Sequence, residues 1–204
     1  MVPPSVLKAL VVLATVSAIQ ASAQASQPTV VAIDGVLCDL TRTLAATKAK
    51  VVCLIQPGSD PHNYRLKPSD RKALNNATLV LYNGFNLTRS ANKMSGAAKV
   101  VAVAETAIPT HDGSDPHVWH DPANTAAMVA VVADRLGAVL PTTQRPALAE
   151  RAAEAISVLD AVGDWGSKQF ATIPEKQRVL VSEHKAYSHL TNRYGLRQIT
   201  MLDS

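Results

Sequence analysis

All six histidines of this 204-residue chain fall in three short segments. His62 lies in Asp60-Pro61-His62-Asn63-Tyr64, His111, His117 and His120 lie in the next segment, and His184 and His189 in the last. Imidazole binds first-row divalent ions, and three imidazoles with a carboxylate or water as fourth donor suit Zn2+. His62 is one candidate ligand. In the second segment either His117 or His120 can ligate while the other faces solvent or supports it, and in the third His184 competes with its neighbour Glu183. His111 and His189 are expected at the surface. The three segments lie far apart in sequence and form no local metal motif, so the fold must bring them together. Other chemistries are poorly served: there is no Gly-rich phosphate loop and no Gly-x-Ser-x-Gly elbow.

The elements that would position these segments read as α/β. Apolar, β-branched runs at 29–33, 50–55, 78–82 and 100–103 are buried parallel strands. Helical spacing over 36–46 makes the first pair a βαβ unit, and Pro68-Ser69-Asp70 opens a second helix. Beyond Asp121-Pro122 an Ala- and Leu-rich stretch, interrupted near Pro141 and Pro146, predicts two helices. The second, about 145–170, would run nearly 40 Å at 1.5 Å per residue, longer than one small domain needs. A strand at 178–182, a helix at 186–193 and a strand at 198–201 then open a second α/β unit that the chain does not complete. The chain is therefore expected to be a fragment or a truncated product. His62 and His184 sit just past strands, where open α/β sheets bind ligands.

Composition narrows the field. With 47% apolar and 18% charged residues the chain can bury an ordinary core. A net charge of +4, no basic stripe along the sequence and only 4% aromatics argue against a nucleic-acid partner. Residues 1–23, with Lys8, an apolar run and Ala21-Ser22-Ala23, have the layout of a cleavable signal peptide. Export permits a Cys38–Cys53 disulfide between the two cysteines, worth about 3 kcal/mol for a loop of that size.

The sequence resembles the periplasmic solute-binding proteins of zinc and manganese ABC transporters over nearly all of the mature chain. Pro57-Gly58-Ser59-Asp60-Pro61-His62-Asn63-Tyr64, Pro68-Ser69-Asp70 and Ala77 to Gly84 look like that family's first metal loop, helix and strand. Asp115-Pro116-His117-Val118-Trp119 with Asp121-Pro122 and Asn124 is similar to its second metal loop. Ser182 to Tyr187, ending in Arg193-Tyr194-Gly195-Leu196, is similar to its third. The resemblance implies two α/β lobes joined by one long helix, with His62 and His117 from the first and His184, rather than Glu183, from the second. Histidine at that third position goes with zinc in this family, and glutamate with manganese. Two departures stand out. The family's fourth ligand, an Asp from later in the second lobe, is lacking, and the second loop carries only His111, Asp112 and Asp115 where zinc members often have a long His- and acid-rich insertion.

The expectation is thus a parallel-sheet N-terminal lobe (24–143), a long connecting helix (144–172) and the incomplete start of a C-terminal lobe (173–204). Its function would be periplasmic capture of Zn2+, or less favourably Mn2+, by a monomer that delivers it to a membrane permease. A secreted three-His zinc hydrolase with Glu183 as base is the alternative, and an adhesin with incidental histidines a third reading.

Overall fold

A computed structural model of the chain describes residues 26–94, 99–111 and 113–201; the segment read as a signal peptide lies outside them. The chain opens with β1 (Thr29–Ala32), α1 (Gly35–Ala45) and β2 (Lys50–Cys53). It continues through α2 (Pro68–Asn76), β3 (Leu79–Tyr82), β4 (Val100–Ala102) and α3 (Val103–Ala107). The four strands form one parallel sheet in the order β2-β1-β3-β4, with Val30 opposite both Val51 and Leu79 and Val80 opposite Val100.

Side chains alternate across the sheet, so its two faces feed two cores. Val30, Ala32, Leu79 and Leu81 pack with Leu37 and Leu44 of α1 and with Met128, Val129, Val132 and Leu136 of α4 (Pro122–Val139). Val31, Ile33, Val80 and Tyr82 pack with Leu54, Ile55 and Leu74 on the other side. This double burial explains why the strands read as continuous apolar runs rather than alternating ones. The Cys38–Cys53 disulfide ties α1 to β2, with Cα atoms 5.5 Å apart.

The 27-residue α5 (Arg145–Ala171) leaves this layer and meets the next. Leu148 and Ala152 of its first half are buried in the first core, and Arg151 donates to the Leu44 carbonyl at 2.7 Å. Its second half carries Gly163 and Gly166 where α6 (Ser188–Tyr194) crosses. A Cβ at either glycine would lie 2.6 Å from the Arg193 guanidinium or the Tyr194 hydroxyl. Helix-internal glycine costs about 1 kcal/mol against alanine, and here it permits that approach. β5 (Val179–Ser182) and β6 (Arg197–Thr200) form a separate two-stranded parallel sheet beside α6.

The end of one strand departs from the sequence expectations. The fourth strand stops at Ala102, because the Ala104 N–H turns to the Asn83 carbonyl at 2.9 Å and starts α3 at once. Arg65, Lys67, Arg71, Lys72, Arg89 and Lys93 are all exposed. The Ser90 hydroxyl donates to the Tyr64 carbonyl at 2.9 Å, and Arg71 and Lys93 line one groove.

Candidate metal centre

Each of the three loops is held by hydrogen bonds that leave an imidazole pointing inward. After β2, Asp60 accepts the His62 backbone N–H at 2.8 Å and the Asn63 amide at 2.7 Å, an Asx turn closed by a surface carboxylate. Tyr64 anchors the exit of this loop, its hydroxyl 2.8 Å from Asp70 and 3.3 Å from the Leu54 carbonyl. Burial and the Asp70 carboxylate push the Tyr64 hydroxyl up to about 12, so it remains a donor.

The second loop repeats the turn at greater depth. Asp115 is 1% exposed and accepts both the backbone N–H of His117 at 3.0 Å and its ring Nδ1–H at 2.7 Å. Asn83, at the end of β3, donates to the Pro116 carbonyl at 3.0 Å. Committing Nδ1 to Asp115 turns the Nε2 lone pair of His117 into the cleft, the arrangement metal-ligating histidines adopt. The third loop follows β5, where the Ser182 hydroxyl donates to the His184 carbonyl at 2.9 Å.

These loops converge. Nε2 of His62 and Nε2 of His117 are 3.0 Å apart, and His184 completes a group whose ligand atoms all lie within 4.8 Å of one another. A tetrahedral zinc about 2.1 Å from each nitrogen requires nitrogens roughly 3.4 Å apart, which small rotamer adjustments reach. Of the pairs left open by residue chemistry, His117 joins the cluster and His120 does not. His120 sits half-buried between Trp119 and Tyr187, ring centroids 5.6 and 4.6 Å away. His184 joins and Glu183 does not, although both are exposed.

The electrostatics favour a neutral ring at His62 and ionised carboxyls at Asp60 and Asp115. Burial and then the nearby His117 lower the His62 pKa, against the opposing charge of Asp60. The His62 N–H holds Asp60 below the usual carboxylate range. Burial works against ionising Asp115, yet hydrogen bonds from His117 and Ser188 outweigh it and hold its carboxyl well below that range.

His111 and His189 correct the expectation of surface residues. Both are half-buried, their ring centroids are 4.7 Å apart, and each places Nε2 3.0 Å from the Asp115 carbonyl oxygen. The cause is the docking of α6 against the second loop, a contact between segments more than seventy residues apart that sequence patterns do not carry. The role of Asp115 was also missed. A signal was present, since Asp-Pro-His occurs twice, at 60–62 and 115–117.

A family model described as zinc-uptake complex component A, periplasmic (ZnuA), matches residues 30–204. The chain belongs to this family. Among ZnuA-family relatives, it is 32% identical over 180 residues to the zinc-binding protein TroA of Treponema pallidum, covering 83% of this chain and 58% of that protein. It is 32% identical over 172 residues to the manganese-binding lipoprotein MntA of Bacillus subtilis, covering 79% of this chain and 56% of that protein. The chain thus spans somewhat over half the length of these relatives. The solved structure of the Treponema pallidum protein superposes with a TM-score of 0.80 at 30% identity, over 87% of this chain and 67% of that one. The ZnuA-type architecture accounts for the parallel sheet and the long α5. It also accommodates proteins named for different metals, including an iron-binding protein of Yersinia pestis that is 30% identical over 178 residues.

Proposed function

We propose that the chain is the metal-capture component of an ABC importer, exported through a signal peptide at residues 1–23, and that His62, His117 and His184 hold a divalent transition metal for delivery to a membrane permease. The observation that carries this reading is the convergence of three imidazoles from three separate loops to within 4.8 Å. Zinc is the favoured cargo. The donor set is three nitrogens with no carboxylate among them, and imidazole suits zinc where manganese prefers oxygen donors. Family relatives named for zinc, manganese and iron make the metal a matter of site chemistry rather than fold. Binding rather than hydrolysis is proposed, because the family model and the relatives it matches are named for metal uptake and metal binding.

Competitive titration of residues 24–204 with Zn2+ and Mn2+ tests this reading. Wild type should bind one zinc per chain in preference to manganese. Each of His62→Ala, His117→Ala and His184→Ala should lose more than the roughly 10–100-fold that removal of a supporting group costs. Weak binding indifferent to all three substitutions would overturn the assignment, and manganese preference would overturn the choice of cargo. Because ligation requires neutral imidazole, affinity should also fall as pH drops below about 6.

A further inference from the structure

Resting on that reading, we propose that Asp115 is a positioning residue that couples the metal-binding ring of His117 to the seating of α6, so that occupancy of the site and docking of the second unit reinforce each other. The carboxylate divides its two oxygens between the two parts of the molecule. Oδ1 accepts the N–H and the ring Nδ1–H of His117, while Oδ2 accepts the backbone N–H of Ser188, at 3.0 Å, and the Ser188 hydroxyl. The main-chain carbonyl of the same residue meets Nε2 of His189, the next residue of α6, at 3.0 Å. Asn124 donates to Nδ1 of His189 at 3.1 Å, which leaves Nε2 as the protonated nitrogen and fixes it as the donor to Asp115. One buried residue is therefore gripped by two successive residues of α6 and itself grips a proposed ligand.

The far end of α6 is tied independently, by the ion pair of Arg193 with Asp121 at 3.0 Å. What Asp115 adds is a link to the metal. A cation on Nε2 withdraws charge from the ring and makes Nδ1–H a stronger donor, which holds the Asp115 carboxylate more firmly in place. An ordered carboxylate in turn presents Oδ2 to the first turn of α6. Coupling of this kind is reciprocal: whatever zinc adds to α6 docking, α6 docking adds to zinc affinity.

Amide hydrogen exchange of α6, with and without saturating zinc, tests the link. His184 lies close to α6 in sequence and would protect it directly, so the decisive background is His184→Ala, in which zinc reaches α6 only through the first loops. Zinc should slow exchange of the 189–194 amides by roughly 5–150-fold in wild type. Part of that slowing should survive in His184→Ala and vanish in His184→Ala/Asp115→Asn, whose amide N–H2 faces the Ser188 donors. Ser188→Ala, which removes one donor and keeps the His117 contact, should reduce the slowing without abolishing it, and serves if Asp115→Asn folds poorly. Equal zinc protection with and without Asp115 would overturn the coupling while leaving the metal site standing. A wild type that binds no zinc would overturn both.

Discussion

Two Asp-Pro-His turns hold two of the three clustered histidines, and they differ in depth rather than in design. At 60–62 and at 115–117 the aspartate accepts the histidine N–H two residues on. Asp60 spends its second oxygen on Asn63 at the surface, whereas buried Asp115 adds the His117 ring and both donors of Ser188. The same tripeptide is thus a local turn in one place and a junction between two halves of the molecule in the other. Asp115→Ala should show this most strongly. It strands the ring N–H of His117 and two Ser188 donors, and should lower unfolding free energy by about 3 kcal/mol in urea titration. Asp60→Ala should cost about 0.5 kcal/mol in the same measurement. Similar losses at both sites would mean that burial of the turn is not what distinguishes them.

The disulfide supplies a contrast of another kind, since it lies within the first unit and touches neither turn. Cys38→Ser/Cys53→Ser releases a loop of 15 residues and should cost about 3 kcal/mol. Zinc affinity should stay within a few-fold of wild type, because β2, which leads into the His62 loop, keeps its parallel pairing with β1, and Leu54 and Ile55 beyond it stay buried in the second core. A parallel loss of affinity would show that the first turn depends on β2 being anchored.

A third aspartate shows that burial alone does not depress a carboxyl. Asp34 caps α1 by accepting the Leu37 N–H at 3.0 Å, but its Oδ2 has no partner among the described residues, and burial pushes its pKa up to about 6. The two buried carboxylates have opposite linkage. Asp115, with a depressed pKa, contributes stability that is present above about pH 4 and lost as pH falls below it. Asp34, with a raised pKa, holds a proton in the folded state that the unfolded chain releases. Stability therefore declines as pH rises from about 4 to about 6, by up to about 3 kcal/mol. Asp34→Asn keeps the capping oxygen and removes the charge. Its unfolding free energy should exceed wild type by about 2 kcal/mol at pH 7.5, with the difference closing near pH 4. A gain that ignores pH would place the titration elsewhere.

Local pattern made much of this legible. The doubly covered strands read as apolar runs, Pro146 marked the start of α5, and the two cysteines paired as expected. Only the family resemblance chose His117 over His120 and His184 over Glu183, since either member of each pair could ligate by chemistry alone. What stayed hidden depends on docking. His111 and His189 leave the surface because α6 seats on the second loop, and that seating relies on Gly163 and Gly166 admitting Arg193 and Tyr194, contacts that no spacing rule connects.

The smallest expected effect sharpens the comparison of the two turns. Asp60→Asn preserves an acceptor for the His62 N–H, so the turn should persist, and only the negative charge near His62 and His184 is lost. Because that charge faces water, its pull on a cation should be modest and screened beyond about 10 Å at 0.1 M salt. Zinc affinity should therefore fall only a few-fold at low ionic strength and converge on wild type as salt is raised, measured by competitive titration at several salt concentrations. Asp115→Asn should behave differently, because its loss is one of buried hydrogen bonds that salt does not screen. A salt-independent defect at Asp60 would show that the first turn positions His62 as rigidly as the second positions His117.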